Sequence, residues 1–168
     1  MFSQKGLTFL ELLIAIVILS ILSTMAVAKY GAATPNCDSP DARQGPLMRA
    51  KIGQVTGDIG KIHMAVSSFE LNNRRYPDSL AEAGVGDMLD PWGNPYRYLV
   101  VFARNDVGPV RKDHNLKPVN SGYDLYSMGP DGVTASPFTS TGGKDDIVMA
   151  NDGDYFGVAC QYNGSGKN

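Results

Sequence analysis

The sequence predicts an α+β fold: a long hydrophobic N-terminal helix, followed by an amphipathic helix packed on a small antiparallel sheet. Two observations lead to this prediction. A nearly charge-free apolar run lies at the start of the 168-residue chain. The remainder combines one helical apolar repeat with several short β-branched and aromatic runs. At this length, one domain of ordinary size accounts for everything after the apolar run.

The apolar run occupies residues 7–28, LTFLELLIAIVILSILSTMAVA, and its only ionisable side chain is Glu11. As a helix it reaches about 33 Å, close to the ~30 Å hydrocarbon thickness of a bilayer. Lys5 precedes the run, and a positive charge before a first span keeps that end of the chain cytoplasmic. We therefore expect a transmembrane helix over residues 7–29, with the rest of the chain across the membrane.

Three interpretations of this run compete. As a secretory signal, it would be cleaved after the small-residue segment at residues 26–28, which gives a mature start at Lys29. As a plain anchor, it would only span the membrane. Both interpretations leave Glu11 unexplained, although a carboxylate in an apolar span costs on the order of 2–3 kcal/mol on insertion scales.

The third interpretation starts from residues 5–11, KGLTFLE, in which a Gly precedes a hydrophobic residue and a Glu follows at the fifth position. This segment resembles the type IV prepilin cleavage motif. The resemblance implies that residues 1–6 are a leader peptide, which a prepilin peptidase removes after Gly6. It also implies that Leu7 becomes the N-methylated first residue and that Glu11 serves in filament assembly.

Cleavage after Gly6 would give Glu11 a role as a counter-ion. The new amine at Leu7 is a cation, and in the apolar interior of a fibre it needs a counter-charge because an unpaired buried charge is strongly unfavourable. Glu11 of a neighbouring subunit can supply that charge. This argument predicts that Glu11 sets the stagger between subunits.

A loop and then an amphipathic helix are predicted next. Residues 30–46 contain three prolines and two glycines, which do not continue a helix. Apolar residues then recur at spacings of three or four, as in a helix of about six turns: Ile52, Val55, Ile59, Ile62, Val66 and Phe69. The polar residues between them are Lys51, Gln54, Asp58 and Lys61. Residues 47–168 are predicted to form the globular domain.

The strands of that domain follow a rigid turn. The helix is expected to end at Asn72 and Asn73, and residues 90–95, DPWGNP, predict a tight turn with Trp92 as its packing anchor. Strands are predicted over the runs 96–102, 123–128, 147–150 and 155–162.

The order of four segments, RRYPDSL, DPWGNPYRY, YDLYSMGPDG and DDI, resembles the major pseudopilin of type II secretion systems. The resemblance implies a structural subunit of a periplasmic filament that polymerises from the bacterial inner membrane and drives protein export. The implied partners are copies of the chain, the prepilin peptidase, an inner-membrane assembly platform and minor pseudopilins. Three features depart from the family: Ala28 replaces a helix-kinking Pro, the loop at 31–46 interrupts a usually continuous helix, and residues 152–168 extend the body.

The same resemblance implies a calcium site whose ligands are the Met128 carbonyl, Asp131 and one of Asp145 or Asp146. Oxygen-only ligands suit this hard cation. The intervening loop is longer than the family leads us to expect. A simple turn at Asp131-Gly132 and a solvated tip at the Asp pair remain open as the alternative.

The two cysteines, Cys37 and Cys160, have no spacing typical of a zinc site. In an oxidising compartment they can form one disulfide bond, which would tie an early loop to the C-terminal segment. Two buried thiols are the alternative.

Composition and motifs exclude other classes of function. The formal charge of −2 and the scattered charged residues disfavour a nucleic-acid partner. No nucleophile, metal-hydrolase or phosphate-binding signature is present, which predicts that the protein is not an enzyme. A true type IV pilin of a surface fibre and a signal-peptide-exported calcium-binding module remain as alternative functions.

Overall fold

The computed structural model describes residues 9–31, 45–101 and 109–164, with side-chain burial in the first of these ranges given up to Ile21. The chain divides into two compact units, one with the first helix and one with all later elements. The helices and strands are α1 (Phe9–Gly31), α2 (Pro46–Asn73), β1 (Arg97–Val100), β2 (Tyr123–Ser127), β3 (Ile147–Ala150) and β4 (Tyr155–Val158). Single 3-10 turns follow β3 and β4.

Helix α1 has 23 residues, and over residues 9–21 it exposes apolar side chains in every direction. Its described large apolar residues are all exposed: Phe9, Leu10, Leu12, Leu13, Ile14, Ile16, Val17, Ile18, Leu19 and Ile21. A helix that is apolar on all sides requires an apolar environment. Within the part of the chain that the structure describes, no helix meets the combined length and apolarity required for crossing a membrane.

Helix α2 is the predicted amphipathic helix. Pro46 occupies its first turn, where the missing N–H costs no hydrogen bond. At its end Arg74 adopts a left-handed conformation with φ 54°, and its N–H donates to the Glu70 carbonyl at 2.7 Å. The buried stripe contains four of the predicted core positions, Val55, Ile59, Ile62 and Val66.

Asp58 lies on this helix among the predicted polar positions, but it is only 8% exposed. The Tyr96 hydroxyl donates to its Oδ2 at 3.3 Å, and Lys61 Nζ donates to its Oδ1 at 2.8 Å. These contacts replace hydration of the carboxylate, so Asp58 is part of the interface between α2 and the sheet region.

The sheet is a four-stranded antiparallel meander in the order β1-β2-β3-β4. Its strands coincide with the four predicted runs, which confirms the α+β class. The last run differs in part, because β4 ends at Val158 and a 3-10 turn, Ala159–Gln161, follows. Phe102, at the end of the first predicted run, lies outside the described residues.

Two apolar clusters cover the two faces of β3. Ile147 and Met149 belong to the larger cluster, which contains the buried stripe of α2. Val148 and Ala150 belong to a second cluster with Phe138, Ala159 and Tyr162 among its members. Successive strand residues point to opposite faces, so a strand covered on both faces is apolar throughout. This arrangement fixes β3 at the centre of the body and holds the loop that precedes it.

Candidate functional site

The first candidate site is the start of α1. Glu11 lies in the first turn of this helix and is exposed, with the apolar side chains of Leu10 and Leu12 exposed beside it. Gly6 and Leu7, the predicted cleavage and methylation positions, lie outside the described residues. The structure therefore places Glu11 on an apolar helix surface, and the processing of the leader stays a prediction.

The second candidate site is the connection between β2 and β3, here termed the 128–146 loop. Ser127 pairs with Ile147 in the antiparallel ladder. Met128 follows β2 and Asp146 precedes β3, so the two ends of the loop meet where the β2–β3 pairing ends. Residues that are distant in sequence are thereby brought into one small region.

Asp145 is the least compensated acid in this region. It is 1% exposed, and neither of its carboxylate oxygens makes a hydrogen bond within the described residues. Burial raises the pKa of Asp145, and repulsion from the nearby Asp131 carboxylate raises it further. A buried carboxylate in this condition is a candidate cation ligand.

Gly129 allows the turn after β2 to approach Asp145 closely. It adopts a φ of +67°, which favours glycine. A Cβ atom at this position would lie 2.5 Å from the Asp145 carbonyl oxygen and 3.3 Å from its Oδ2. Two residues on, Asp131 is exposed, and its Oδ1 accepts the Val133 N–H at 2.8 Å.

Asp146 is in a different situation from Asp145. Its Oδ2 accepts hydrogen bonds from Arg111 Nη2 at 2.5 Å and from Thr134 Oγ1 at 2.7 Å, while its Oδ1 is buried with no partner among the described residues. Burial raises the pKa of Asp146 to about 7, although the Arg111 guanidinium opposes that rise. Of the two acids between which the sequence left the choice open, Asp145 is the one with both oxygens available.

The predicted turn at residues 90–95 is hydrogen-bonded to the start of the 128–146 loop. Asp90 Oδ1 accepts the backbone N–H groups of Trp92 at 3.0 Å and Asn94 at 2.8 Å. Its Oδ2 accepts the Ser127 hydroxyl at 2.6 Å, and that hydroxyl oxygen accepts the Gly129 N–H at 3.1 Å. One buried carboxylate therefore fixes both the turn and the start of the loop.

The donor set of the loop fits an oxygen-binding cation. Among the described residues, no group of three or more His, Cys, Asp or Glu side chains is placed to hold a metal ion. A site here would combine the carboxylates of Asp131 and Asp145 with backbone carbonyls such as that of Met128. This mixture is typical of calcium and unlike the nitrogen and sulfur ligands of zinc.

The structure describes one of the two cysteines. Cys160 is disulfide-bonded and half-buried, and its N–H donates to the Lys144 carbonyl at 3.1 Å. Cys37 lies outside the described residues. The pairing of Cys37 with Cys160 stays a prediction.

Two residues that shape the 128–146 loop, Arg111 and Asp90, are not among the predicted site residues. Asp90 had a usable signal, because an Asp before Pro at the start of a tight turn often accepts the backbone N–H groups of that turn. Arg111 had none, since it lies 35 residues before its carboxylate partner in an irregular segment.

Comparison with known proteins adds to this geometry. Residues 1–27 match the family described as the prokaryotic N-terminal methylation motif. Three similar proteins are each named type II secretion system core protein G. The one from Escherichia coli K12 is 30% identical over 155 aligned residues, which cover 86% of this chain and 90% of that protein. Those from Pseudomonas aeruginosa and Klebsiella pneumoniae are each 29% identical, covering 77% and 79% of this chain and 85% and 89% of the relatives. No solved structure matches the chain.

The N-terminal motif and the α+β body define a type IV pilin-like protein. Within that class, the chain belongs to the family of type II secretion system core protein G, the major pseudopilins.

Proposed function

We propose that this pseudopilin is a structural, non-enzymatic subunit of a periplasmic filament that is anchored in the inner membrane and serves protein export by type II secretion. Copies of the chain would assemble with the apolar helix in the filament axis and the body outside it. The names of its relatives support the secretion system. The prepilin peptidase, the assembly platform and the minor pseudopilins are the proposed partners.

The observation that supports a filament is the surface of α1. Ten large apolar side chains are exposed between Phe9 and Ile21, with Glu11 as the only charge in that segment. Exposed apolar surface on this scale marks contact with a membrane or with other proteins. A helix of 23 residues extends about 35 Å, enough to contact a bilayer first and neighbouring subunits afterwards.

Glu11 would select the arrangement of neighbours. After removal of residues 1–6, the amine at Leu7 of one subunit would pair with Glu11 of the next. Arrangements that separate the two charges would be disfavoured inside the apolar axis, because an unpaired buried charge costs several kcal/mol.

Substitution of Glu11 tests this proposal. Glu11→Ala is expected to retain membrane association, measured by flotation of membranes, and to lose filament assembly, measured by cross-linking and electron microscopy. Ser20→Ala is the matched control, since Ser20 is another polar residue of α1 whose hydroxyl donates only to the Val17 carbonyl at 2.8 Å among the described contacts. A normal filament yield from Glu11→Ala would refute the role of Glu11.

The mature N-terminus separates this function from its main alternative. Intact mass and N-terminal sequencing of the protein from native membranes should show a methylated Leu7. A start at Lys29 would instead mean that the apolar run is an export signal, and the filament proposal would then fail.

We also propose that the 128–146 loop binds calcium through Asp131, Asp145 and the Met128 carbonyl. The unpaired, buried Asp145 carboxylate supports this site. A ligand that binds only the native state adds about 2.7 kcal/mol of stability at a concentration of 100 times its Kd. CaCl₂ should therefore raise the Tm of the detergent-solubilised chain above its value in EGTA, and MgCl₂ should raise it less.

Asp145→Asn is the variant that locates the calcium. It is expected to abolish the difference in Tm between CaCl₂ and EGTA, whereas Asp87→Asn, at an exposed acid, should preserve it. A wild-type Tm that is equal in the two solutions would refute the calcium site.

We also propose that Cys37 and Cys160 form one disulfide bond, which peptide mapping can test. A non-reducing digest should contain one cross-linked peptide pair that includes Cys37 and Cys160. Recovery of both cysteines as alkylated monomers would contradict the pairing.

A further inference from the structure

Arg111 contacts the 128–146 loop at two separate places, its interior and its C-terminal end. Its guanidinium donates from Nη2 to Asp146 Oδ2 at 2.5 Å, and from Nη1 to Thr134 Oγ1 at 2.7 Å and the Ala135 carbonyl at 2.8 Å. The Thr134 hydroxyl donates to the same Asp146 oxygen at 2.7 Å. One planar fork thus joins Thr134 and Ala135 to the residue just before β3.

Arg111 is itself held firmly. It is 2% exposed, and its guanidinium lies 4.4 Å from the centre of the Tyr126 ring and 5.2 Å from that of Phe138. Its backbone N–H donates to Asp124 Oδ2 at 2.7 Å, which ties it to β2. An arginine held on both its backbone and its side chain can fix the position of the groups that it binds.

The backbone next to Arg111 continues this support. The Lys112 N–H donates to the Ser136 carbonyl at 3.1 Å, and the Phe138 N–H donates to the Lys112 carbonyl at 3.0 Å. Residue 112 therefore pairs with the middle of the loop as a short parallel bridge to Pro137. The segment around Arg111 holds the loop by side-chain and main-chain contacts together.

We propose that Arg111 is a positioning residue for the cation site, and that Asp146 is the counter-ion of Arg111 and not a cation ligand. This inference rests on the calcium binding proposed above. Arg111 neutralises the second acid of the pair and fixes the loop, so that Asp131 and Asp145 supply the two carboxylates for one divalent cation.

The opposite assignment makes different predictions. If Asp146 ligated the cation, Arg111 would compete with that cation, and removing the arginine would tighten calcium binding. If Arg111 positions the loop, removing it weakens binding, because loss of a supporting contact behind a metal site typically costs about 10–100-fold in affinity.

The test is calorimetric titration of CaCl₂ into the full chain in detergent, comparing wild type with Arg111→Met, Asp146→Asn and the double variant. Each single substitution should raise the calcium Kd about tenfold or more. The double variant should be no weaker than the weaker single variant, because both changes remove the same interaction. Arg75→Met is the matched control, since Arg75 is an exposed arginine paired with Glu82.

Two further measurements keep a folding defect separate from a positioning role. Hydrogen exchange in EGTA should become faster over residues 132–144 of Arg111→Met while α2 keeps its protection. Arg111→Lys should restore only part of the affinity, because an ammonium retains the charge but lacks the planar fork. If Arg111→Met alone unfolds, the double variant carries the test, since it leaves neither Arg111 nor Asp146 as a buried charge without its partner.

The outcomes distinguish the two proposals. A wild-type chain that does not respond to calcium would refute the calcium site, and the positioning role with it. A wild-type chain that binds calcium while Arg111→Met binds it equally or more tightly would refute only the role of Arg111. Complete loss of binding in Asp146→Asn with binding retained in Arg111→Met would make Asp146 a ligand and overturn the assignment.

Discussion

The two helices use the same apolar residues in opposite ways. Ile16 in α1 is 57% exposed, whereas Ile59 in α2 is 0% exposed. The body buries the stripe of α2 against its own sheet and needs no other molecule for that contact. The apolar surface of α1 is left for other molecules, so the same type of side chain stabilises the fold in one helix and serves assembly in the other.

Glycine content sharpens the contrast. The body helix contains Gly53, Gly57 and Gly60, each of which weakens a helix by up to about 1 kcal/mol relative to Ala. A Cβ on any of the three would meet nothing within 4 Å. Packing of the opposite face therefore maintains α2 despite its glycines. In α1, Gly occurs only at the last position, Gly31, so no interior glycine weakens this helix.

The largest expected effect tests the contrast between α1 and α2 directly. Ile59→Ala should lower the free energy of unfolding of the body by about 2–5 kcal/mol, because it removes buried methyl groups and leaves a cavity. Ile16→Ala makes the same chemical change on exposed α1 and should leave that free energy within about 0.5 kcal/mol of wild type. Denaturant unfolding followed by fluorescence of Trp92, the single tryptophan, measures both. Equal losses would show that α1 contributes to the stability of the body.

A second substitution tests the turn that supports the 128–146 loop. Asp90→Ala removes acceptors for Trp92, Asn94 and Ser127, and it should cost about 1–3 kcal/mol because buried donors lose their partner. Asp87→Ala, at an exposed acid, is the control. If both variants unfold at the same denaturant concentration, the buried Asp90 network does not stabilise the body.

Local patterns predicted α2 and all four strands because apolar spacing records which face of an element is buried. The same patterns placed Asp58 among exposed polar residues. The Tyr96 hydroxyl that donates to its buried carboxylate lies 38 residues away, beyond the reach of a local pattern. The choice between Asp145 and Asp146 was also beyond local reasoning. Adjacent residues in extended chain point to opposite sides, and only the register of β3 and the position of Arg111 decide which acid is paired.

A smaller effect of opposite sign tests the role of packing in α2. Gly57→Ala should raise the free energy of unfolding by up to about 1 kcal/mol, because alanine restricts the unfolded chain and its Cβ has open space. Gly129→Ala is the contrasting variant: its Cβ would lie 2.5 Å from the Asp145 carbonyl oxygen, so it should destabilise the body. A loss of stability in Gly57→Ala would mean that the outer face of α2 has a contact partner.

The smallest effect is a pH dependence centred on His63. The Tyr123 hydroxyl lies 2.6 Å from His63 Nδ1, and the Phe156 ring lies against the imidazole.

Burial lowers the pKa of His63 below its ordinary value of 6.5, and the Asp152 carboxylate opposes that shift. Well above pH 6.5 both folded and unfolded His63 are neutral. As the pH falls below 6.5 the unfolded state binds the proton first, so stability is lost until the folded pKa is passed, with a slope of at most about 1.4 kcal/mol per pH unit. Between pH 7.5 and 5, unfolding curves should therefore show wild type losing more stability than His63→Gln. Parallel wild-type and His63→Gln curves would show that the contact between α2 and β2 does not depend on the charge of this imidazole.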